Sequence, residues 1–227
     1  MNEPLHIGFL LYPHVTQLDA TGPAQVLSRL PEARVHMIWK TLDPVPTDAG
    51  FAIVPTTTMA DCPQLDVICV PGGAGQVPLL TDEQTLAFLR RQAAAARYIT
   101  SVCTGSLVLG AAGLLTGYRS ACHWAWRDML TSFGAVPVAE RVVRDRNRIS
   151  GGGVTAGIDF ALTLAAELAG ERVAKQIQLM LEYDPQPPFD CGTPDKAGPE
   201  LTASMQELFA SLLTARQAAV ATSAARL

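Results

Sequence analysis

The sequence predicts a single α/β domain built on a mostly parallel sheet. Short apolar runs recur along the 227 residues, and helix-compatible segments follow them, which is the pattern of βαβ units. Of all residues, 48% are hydrophobic and 17% are charged, a balance that favours a collapsed core over disorder. Neither an internal repeat nor a domain boundary is visible. We therefore expect one domain over residues 1–227, with a helical extension over about residues 199–227.

The first third of the chain predicts three strands and one helix. An apolar run at residues 6–11 ends in a Tyr-Pro turn, and a helix over about 19–30 follows it. A second strand is expected at 35–40. The next segment is polar and rich in proline, so the short run at 51–54 is interpreted as an antiparallel edge strand.

The middle of the chain predicts the most buried strands. Apart from Asp66, residues 65–70 and 98–102 are apolar or small, as expected for strands covered on both faces. A helix over 82–96, with Thr81 as its N-cap, lies between them, and a helix of small residues over 105–113 follows the second. The remaining predicted elements are strands at 119–122, 141–144 and 148–150, helices at 158–169 and 172–181, a proline-rich surface loop at 184–199 and a C-terminal helix at 199–227.

Charge and hydropathy exclude two classes of partner. The formal net charge is −4, and no cluster of Lys and Arg is present, so we expect no nucleic-acid surface. Residues 98–118 carry no charge but include Thr, Ser and four glycines, which argues against a membrane span. Because the N-terminus lacks the basic start of a secretory signal, a cytoplasmic location is expected.

Cys103 gives the sharpest local chemical signal. It joins the end of a predicted buried strand to the start of a helix of small residues, which is the arrangement of a nucleophile elbow. The positive end of the helix dipole would favour the thiolate there. The alternative is one more buried structural cysteine. The five cysteines are odd in number and widely spaced, so neither a disulfide framework nor a zinc site is expected.

Two further candidates follow predicted strands. Gly72 and Gly73 end the strand at 65–70, where backbone amides of glycine are able to approach an anion closely. Asp19 follows the first strand, although Asp is also a preferred N-cap and the sequence alone favours that structural role. The carboxyl ends of parallel strands meet at one edge of a sheet, so these residues and Cys103 are expected to face the same space.

His123 is the histidine best placed to serve Cys103. It lies 20 residues beyond the cysteine, after a predicted strand, and either reaches the pocket or is bonded to backbone as a structural residue. No His-x-Glu motif occurs downstream, which argues against a glutamine-hydrolysing triad.

These motifs together resemble the DJ-1/PfpI superfamily. The resemblance implies a flavodoxin-like three-layer sandwich, with helices on both faces of the sheet, a nucleophile-elbow cysteine and a homodimeric assembly. It covers residues 7–159. The matching motifs are Asp19-x-x-Gly22-Pro23, Pro71-Gly72-Gly73, Val102-Cys103-Thr104-Gly105, Cys122-His123-Trp124 and residues 151–159.

At two positions the sequence differs from many members of this superfamily, and these differences indicate which members it resembles most. Thr104 stands where protease-like members have His, and Asp19 stands where many members have Glu. Both are similar to the isonitrile-hydrating bacterial members. That likeness implies Cys103, Asp19 and Thr104 as the catalytic set and a small isonitrile as substrate, with no metal or organic cofactor. Gly72 and Gly73 would stabilise developing negative charge, and His123 would contact the substrate.

Two other functions stay open at the level of sequence. One is glyoxalase-like chemistry on small dicarbonyls, which needs a basic partner, and His123 is the candidate. The other is a cysteine-based stress sensor or regulator. A related subfamily is fused to AraC-type DNA-binding helices, but the chain beyond residue 199 has no basic recognition helix.

Overall fold

A seven-stranded sheet forms the centre of the molecule. The computed structural model describes residues 4–227. The strands are β1 (Leu5–Leu10), β2 (Ala33–Trp39), β3 (Val45–Pro46), β4 (Ala52–Ile53), β5 (Thr57–Thr58), β6 (Val67–Val70), β7 (Tyr98–Val102), β8 (Arg119–Ser120), β9 (Val136–Pro137), β10 (Val142–Asp145) and β11 (Arg148–Gly151). The helices are α1 (Gln17–Leu27), α2 (Gln76–Leu79), α3 (Glu83–Ala93), α4 (Gly105–Ala111), a 3₁₀ helix (Arg127–Phe133), α5 (Ala156–Ala169), α6 (Glu171–Met180) and α7 (Pro194–Ala224).

The strand order of the large sheet is β10-β11-β7-β6-β1-β2-β5. Every neighbouring pair is parallel except β10 and β11, which form an antiparallel hairpin at one edge. The predicted mostly parallel sheet is therefore confirmed. Its three central strands are β7, β6 and β1, and β6 and β7 are the two for which the sequence predicted burial on both faces.

Helices cover both faces of the sheet and make three layers. Alternate residues of β6 point to opposite sides: Val67 and Cys69 pack with α1, α5 and α6, whereas Ile68 and Val70 pack with α2, α3, α4 and α7. This alternation follows from the two-residue period of a strand. The flavodoxin-like sandwich with a nucleophile elbow is thus confirmed.

Two predicted strands lie outside the large sheet. The strand expected at 51–54 is shortened to β4, which is antiparallel as predicted but pairs only with β3. The strand expected at 119–122 is shortened to β8, which pairs in parallel with β9. The run at 51–54 therefore forms an antiparallel strand outside the large sheet, where Thr57 and Thr58, beyond Pro55, pair with β2.

Helix starts also differ from expectation. Helix α1 begins at Gln17 with Thr16 in the N-cap position, so Asp19 is inside the first turn and is not a cap. Helix α3 begins at Glu83 with Asp82 in the N-cap position, which corrects the predicted Thr81 cap. Asp82 accepts a hydrogen bond from Thr85 and pairs with Lys40, and these contacts hold it at the helix start.

The C-terminal helix begins earlier than predicted. Helix α7 starts at Pro194, within the segment expected to be a loop, and is kinked at Gly198, where φ is +79°. Beyond the kink it continues as predicted and returns over the α4 face of the sheet. Over residues 4–227, no helix combines the length and hydrophobicity needed to cross a membrane.

Candidate active site

Three loops meet at the carboxyl ends of the central strands. They follow β1, β6 and β7, which are adjacent in the sheet, and they carry Asp19, the Gly72-Gly73 turn and Cys103. The side chains of Asp19 and Cys103 interact, and both contact this turn. The predicted convergence at one edge of the sheet is therefore confirmed, as open parallel sheets require.

Cys103 has the strained backbone of a nucleophile elbow. Its φ is +56°, in the left-handed region that non-glycine residues rarely adopt. Two hydrogen bonds hold it there: its amide donates to Gly151 O at 3.0 Å, and Ser106 Oγ donates to Cys103 O at 3.0 Å. The neighbouring strand and the first turn of α4 therefore fix the direction of the thiol.

Gly105 allows the elbow to pack directly against the loop after β6. A Cβ atom at this position would lie 1.9 Å from Val70 O and 2.7 Å from Pro71 O. Both neighbours are backbone atoms, which are unable to move aside without disturbing β6. Position 105 therefore requires a residue without a side chain.

Asp19 is completely buried beside the thiol. Its Oδ2 accepts a hydrogen bond from the amide of Gly72 at 2.8 Å, whereas Oδ1 has no partner among residues 4–227. A Cβ atom on Gly72 would lie 2.8 Å from the Cβ of Cys103. Because Gly72 has no side chain, its backbone fits closely against Cys103 while its amide binds Asp19. The unpartnered Oδ1 leaves this carboxyl able to exchange a proton.

Thr104 is fixed by the second glycine of the turn. The amide of Gly73 donates to Thr104 Oγ1 at 3.1 Å. The amides of Gly72 and Gly73 are thus both engaged with side chains of the predicted catalytic set. In the resting structure they position Asp19 and Thr104, which revises the expectation that they are free to bind an anion.

Burial raises the pKa values of both the carboxyl and the thiol. Burial raises the pKa of Asp19 to about 7; the Gly72 amide and the Cys103 thiol oppose the rise, while the charge of Asp48 adds to it. Burial, followed by the charge of Asp19, raises the pKa of Cys103 well above the usual thiol value. The expected preference for a thiolate from the helix dipole is outweighed, because desolvation penalises the charged form.

A cavity of about 160 Å³ opens onto Cys103 and Thr104. His123 lines it, so of the two alternatives that the sequence left open, the histidine reaches the pocket and is also bonded to backbone. Its Nδ1 accepts a hydrogen bond from the amide of Ala125 at 3.3 Å. Burial and the charge of Arg216 lower the pKa of His123 to about 4, so its ring is neutral near pH 7 and is a weak base.

Most of the other residues that line the cavity were not predicted from the sequence. The C-terminal helix α7 supplies three wall residues, and the other walls come from segments near the three loops. A signal was available, because Phe209, Arg216 and Val220 recur at helical spacing and predict one buried face that contains a single charge. The further lining residues are Thr16, Ala74, Trp126, Val154, Phe209, Leu212 and Arg216.

Residues 4–227 contain no group of three or more His, Cys, Asp or Glu side chains placed to hold a metal ion. Of the other cysteines, Cys69 and Cys122 are buried, and burial raises their pKa values to about 12 and about 11. Cys103 differs from them in bordering a cavity beside a carboxyl, which is the arrangement that chemistry requires.

The chain is similar to a protein family and to individual known proteins. Residues 6–167 match the DJ-1/PfpI family. An isonitrile hydratase of Pseudomonas putida is 64% identical over 193 residues, which make up 85% of this chain and 85% of that protein. A THiJ/PfpI family protein from Pseudomonas syringae, whose crystal structure is known, superposes with a TM-score of 0.93 at 48% identity, covering 97% of this chain and 91% of that one.

A transcriptional regulator is also similar in sequence to this chain. The HTH-type transcriptional regulator GbdR of Pseudomonas aeruginosa is 33% identical over 191 residues, which are 80% of this chain and 52% of the regulator. The chain therefore spans about half the length of that relative.

Proposed function

The chain belongs to the DJ-1/PfpI family, and from that premise we propose that it is a hydro-lyase that hydrates small isonitriles to N-substituted formamides. The observation that carries the proposal is the thiol of Cys103, which lines one small cavity and lies beside the buried carboxyl of Asp19, whose pKa is about 7. The 64% identity to an isonitrile hydratase supports the same chemistry.

The pair supplies what the first half of the reaction needs. The terminal carbon of R–N≡C must gain one proton and one bond to sulfur. Asp19, with a pKa of about 7, accepts the thiol proton of Cys103 and passes it to that carbon. The sulfur forms the C–S bond as the C–N triple bond becomes a double bond. The product of this step is a thioimidate, R–N=CH–S, on Cys103.

The second half consumes one water molecule. Its hydroxyl adds to the thioimidate carbon, and its protons pass to the nitrogen and, through Asp19, back to the departing sulfur. The C–S bond breaks, which releases R–NH–CHO and restores the thiol. Thr104, whose hydroxyl is held by the Gly73 amide, would orient this water. Gly72 would keep Asp19 in place through both halves, and neutral His123 would contact the substrate.

Substitution of the pair provides the direct test. Cys103→Ala removes the nucleophile, so hydration of an alkyl isonitrile should fall to the uncatalysed rate. Asp19→Asn keeps an acceptor for the Gly72 amide but loses the exchangeable proton, and we expect a loss of about 10²- to 10⁴-fold in kcat. Steady-state assays of formamide formation measure both effects.

A cysteine outside the site serves as the matched control. Cys191 is exposed, so Cys191→Ala should retain wild-type turnover. Trapping by mass spectrometry should find the thioimidate mass on wild-type enzyme and not on Cys103→Ala. Turnover by Cys103→Ala at the wild-type rate would rule out the covalent route.

The two alternative functions fit the site less well. Dicarbonyl chemistry with His123 as its base fits poorly, because the pKa of His123 is about 4. A peroxide sensor needs an accessible thiolate, whereas Cys103 is buried with a raised pKa. Parallel assays with methylglyoxal, an isonitrile and peroxide on one preparation separate the three functions.

We also propose that the chain works in the cytoplasm as a homodimer, without nucleic-acid or membrane partners. An apolar groove between α1 and α5 supports the dimer. It is lined by Leu18, Ile158 and Leu181, and Leu179 and Met180 are exposed next to it in the chain. Light scattering should give twice the 24.1 kDa chain mass, and Leu18→Glu should give the monomer mass. A wild-type monomer at micromolar concentration would contradict the assembly.

A further inference from the structure

Arg216 is a buried cation whose charge is not paired within the described chain. Its side chain is 2% exposed, and neither Nε nor Nη1 has a hydrogen-bond partner among residues 4–227. The ion pairs found in that range do not include it. A buried charge without a partner costs several kcal/mol. Such a group calls for an anion that binds to it.

The position of Arg216 defines where that anion would bind. Its guanidinium carbon lies 4.1 Å from the centre of the Trp126 ring, so the indole holds the planar group. Arg216 lines the same cavity as Cys103 and Thr104. Asp19 is the acidic group beside Cys103, and its carboxyl accepts a hydrogen bond from Gly72. Within residues 4–227, no hydrogen bond or ion pair joins Asp19 to Arg216.

We propose that Arg216 binds a carboxylate carried by the substrate, so that the preferred substrates are small isonitriles with an acidic group. This inference rests on the proposed function. A guanidinium presents parallel N–H donors in the geometry of a carboxylate. The unpartnered Nε and Nη1 each form such a pair of donors together with Nη2. The cavity of about 160 Å³ is smaller than the range of about 300–1,000 Å³ that holds drug-sized ligands, so the group joining carboxylate and isonitrile is short.

The test compares two nearly isosteric substrates, 4-isocyanobutanoate and 4-isocyanobutanamide. Wild-type enzyme should have a kcat/KM about 10- to 100-fold higher for the acid, mainly through a lower KM. Arg216→Met should remove this preference by lowering kcat/KM for the acid by a similar factor, while the value for the amide changes by less than about threefold. Arg216→Lys, which keeps the charge and loses the fork, should retain part of the preference.

Two control measurements distinguish a specific effect of the Arg216 substitutions from a general loss of activity or folding. Arg226 is an exposed arginine just beyond the end of α7, and Arg226→Gln should leave both kcat/KM values unchanged. Butanoate should inhibit wild-type turnover of the amide competitively, whereas butylamine should not. This inhibition tests the site in wild-type enzyme even if both Arg216 variants fail to fold.

The outcomes separate the two proposals. Equal kcat/KM for acid and amide in wild-type enzyme, or an equal loss on both substrates in Arg216→Met, would overturn the carboxylate site and leave isonitrile hydration standing. The equal loss would indicate that Arg216 acts on the reaction or on the fold. If wild-type enzyme hydrates neither compound, the proposed function is overturned. The proposed preference for acidic isonitriles, which rests on that function, is then overturned too.

Discussion

Asp19 shows how one residue obtains an unusual proton affinity from simple surroundings. Its carboxyl is fully buried, and a single amide, that of Gly72, donates to it. One hydrogen bond does not replace the hydration that two oxygens lose, so the neutral form is favoured and the pKa rises to about 7. At that value the group gives and takes protons with nearly equal ease, which a reaction with two proton transfers needs.

The raised pKa of Asp19 predicts a pH dependence of stability. The folded state holds this proton up to about pH 7, whereas the unfolded chain releases it near pH 4. The folded state therefore binds more protons between these values, and stability falls as pH rises through that window. A difference of about 3 pKa units corresponds to about 4 kcal/mol, present below about pH 4 and lost above about pH 7.

Other titrating groups contribute to the same curve, so the measurement is a difference between two proteins. The free energy of urea unfolding should decrease from pH 4 to pH 8 by up to about 4 kcal/mol more in wild type than in Asp19→Asn. Parallel curves for the two proteins would show that the carboxyl is hydrated and its pKa ordinary.

At the scale of elements, the elbow depends on close approach between α4 and β6. Gly105→Ala would place a methyl group 1.9 Å from Val70 O, where only backbone surrounds it. We expect a loss of about 2–3 kcal/mol in unfolding free energy, since overpacking of this kind forces backbone shifts. Turnover should also fall, because the displaced elbow separates Cys103 from Asp19.

A glycine in open surroundings provides the control for this substitution. A methyl group on Gly192 would have no atom within 4 Å beyond its chain neighbours, and the residue has no positive φ. Gly192→Ala should therefore change stability by less than about 0.5 kcal/mol. Thermal unfolding and steady-state kinetics of the two variants report both effects. Wild-type stability in Gly105→Ala would mean that the loop after β6 moves aside freely.

The elements that the sequence predicted well are those whose signal is local. The runs that form β1, β6 and β7 are apolar on both faces, and each ends at a turn residue, so the edge that carries Asp19, Gly72 and Cys103 followed from chain order. Strands of two residues, such as β5 and β9, have no periodicity to detect. Their pairing depends on distant segments, and the same holds for Arg216, which reaches the site only because α7 folds back.

At the scale of the whole molecule, α7 is part of the single domain that the sequence predicted, and we propose that it unfolds with the sheet. Val220 of α7 is buried in the same cluster as Ile68 and Val70 of β6. Phe209 lies 5.5 Å from the ring of Trp126, and Arg216 stacks on that ring. Helix α7 therefore closes both the core and the cavity, and its loss would uncover Cys103.

Unfolding of Val220→Ala tests this integration with two probes. In a Trp39→Phe background, tryptophan fluorescence reports Trp124 and Trp126, whose rings both lie next to Phe209 of α7, and far-UV circular dichroism reports all helices and strands. A single cooperative domain requires that the cavity left by Val220→Ala lower the midpoint of both signals equally, by an amount equivalent to about 2 kcal/mol. Leu208→Ala, on the exposed face of the same helix, should shift neither by more than about 0.5 kcal/mol. If the fluorescence midpoint moved alone, α7 would be a separately melting extension, and the wall of the active site that carries Arg216 would open before the fold is lost.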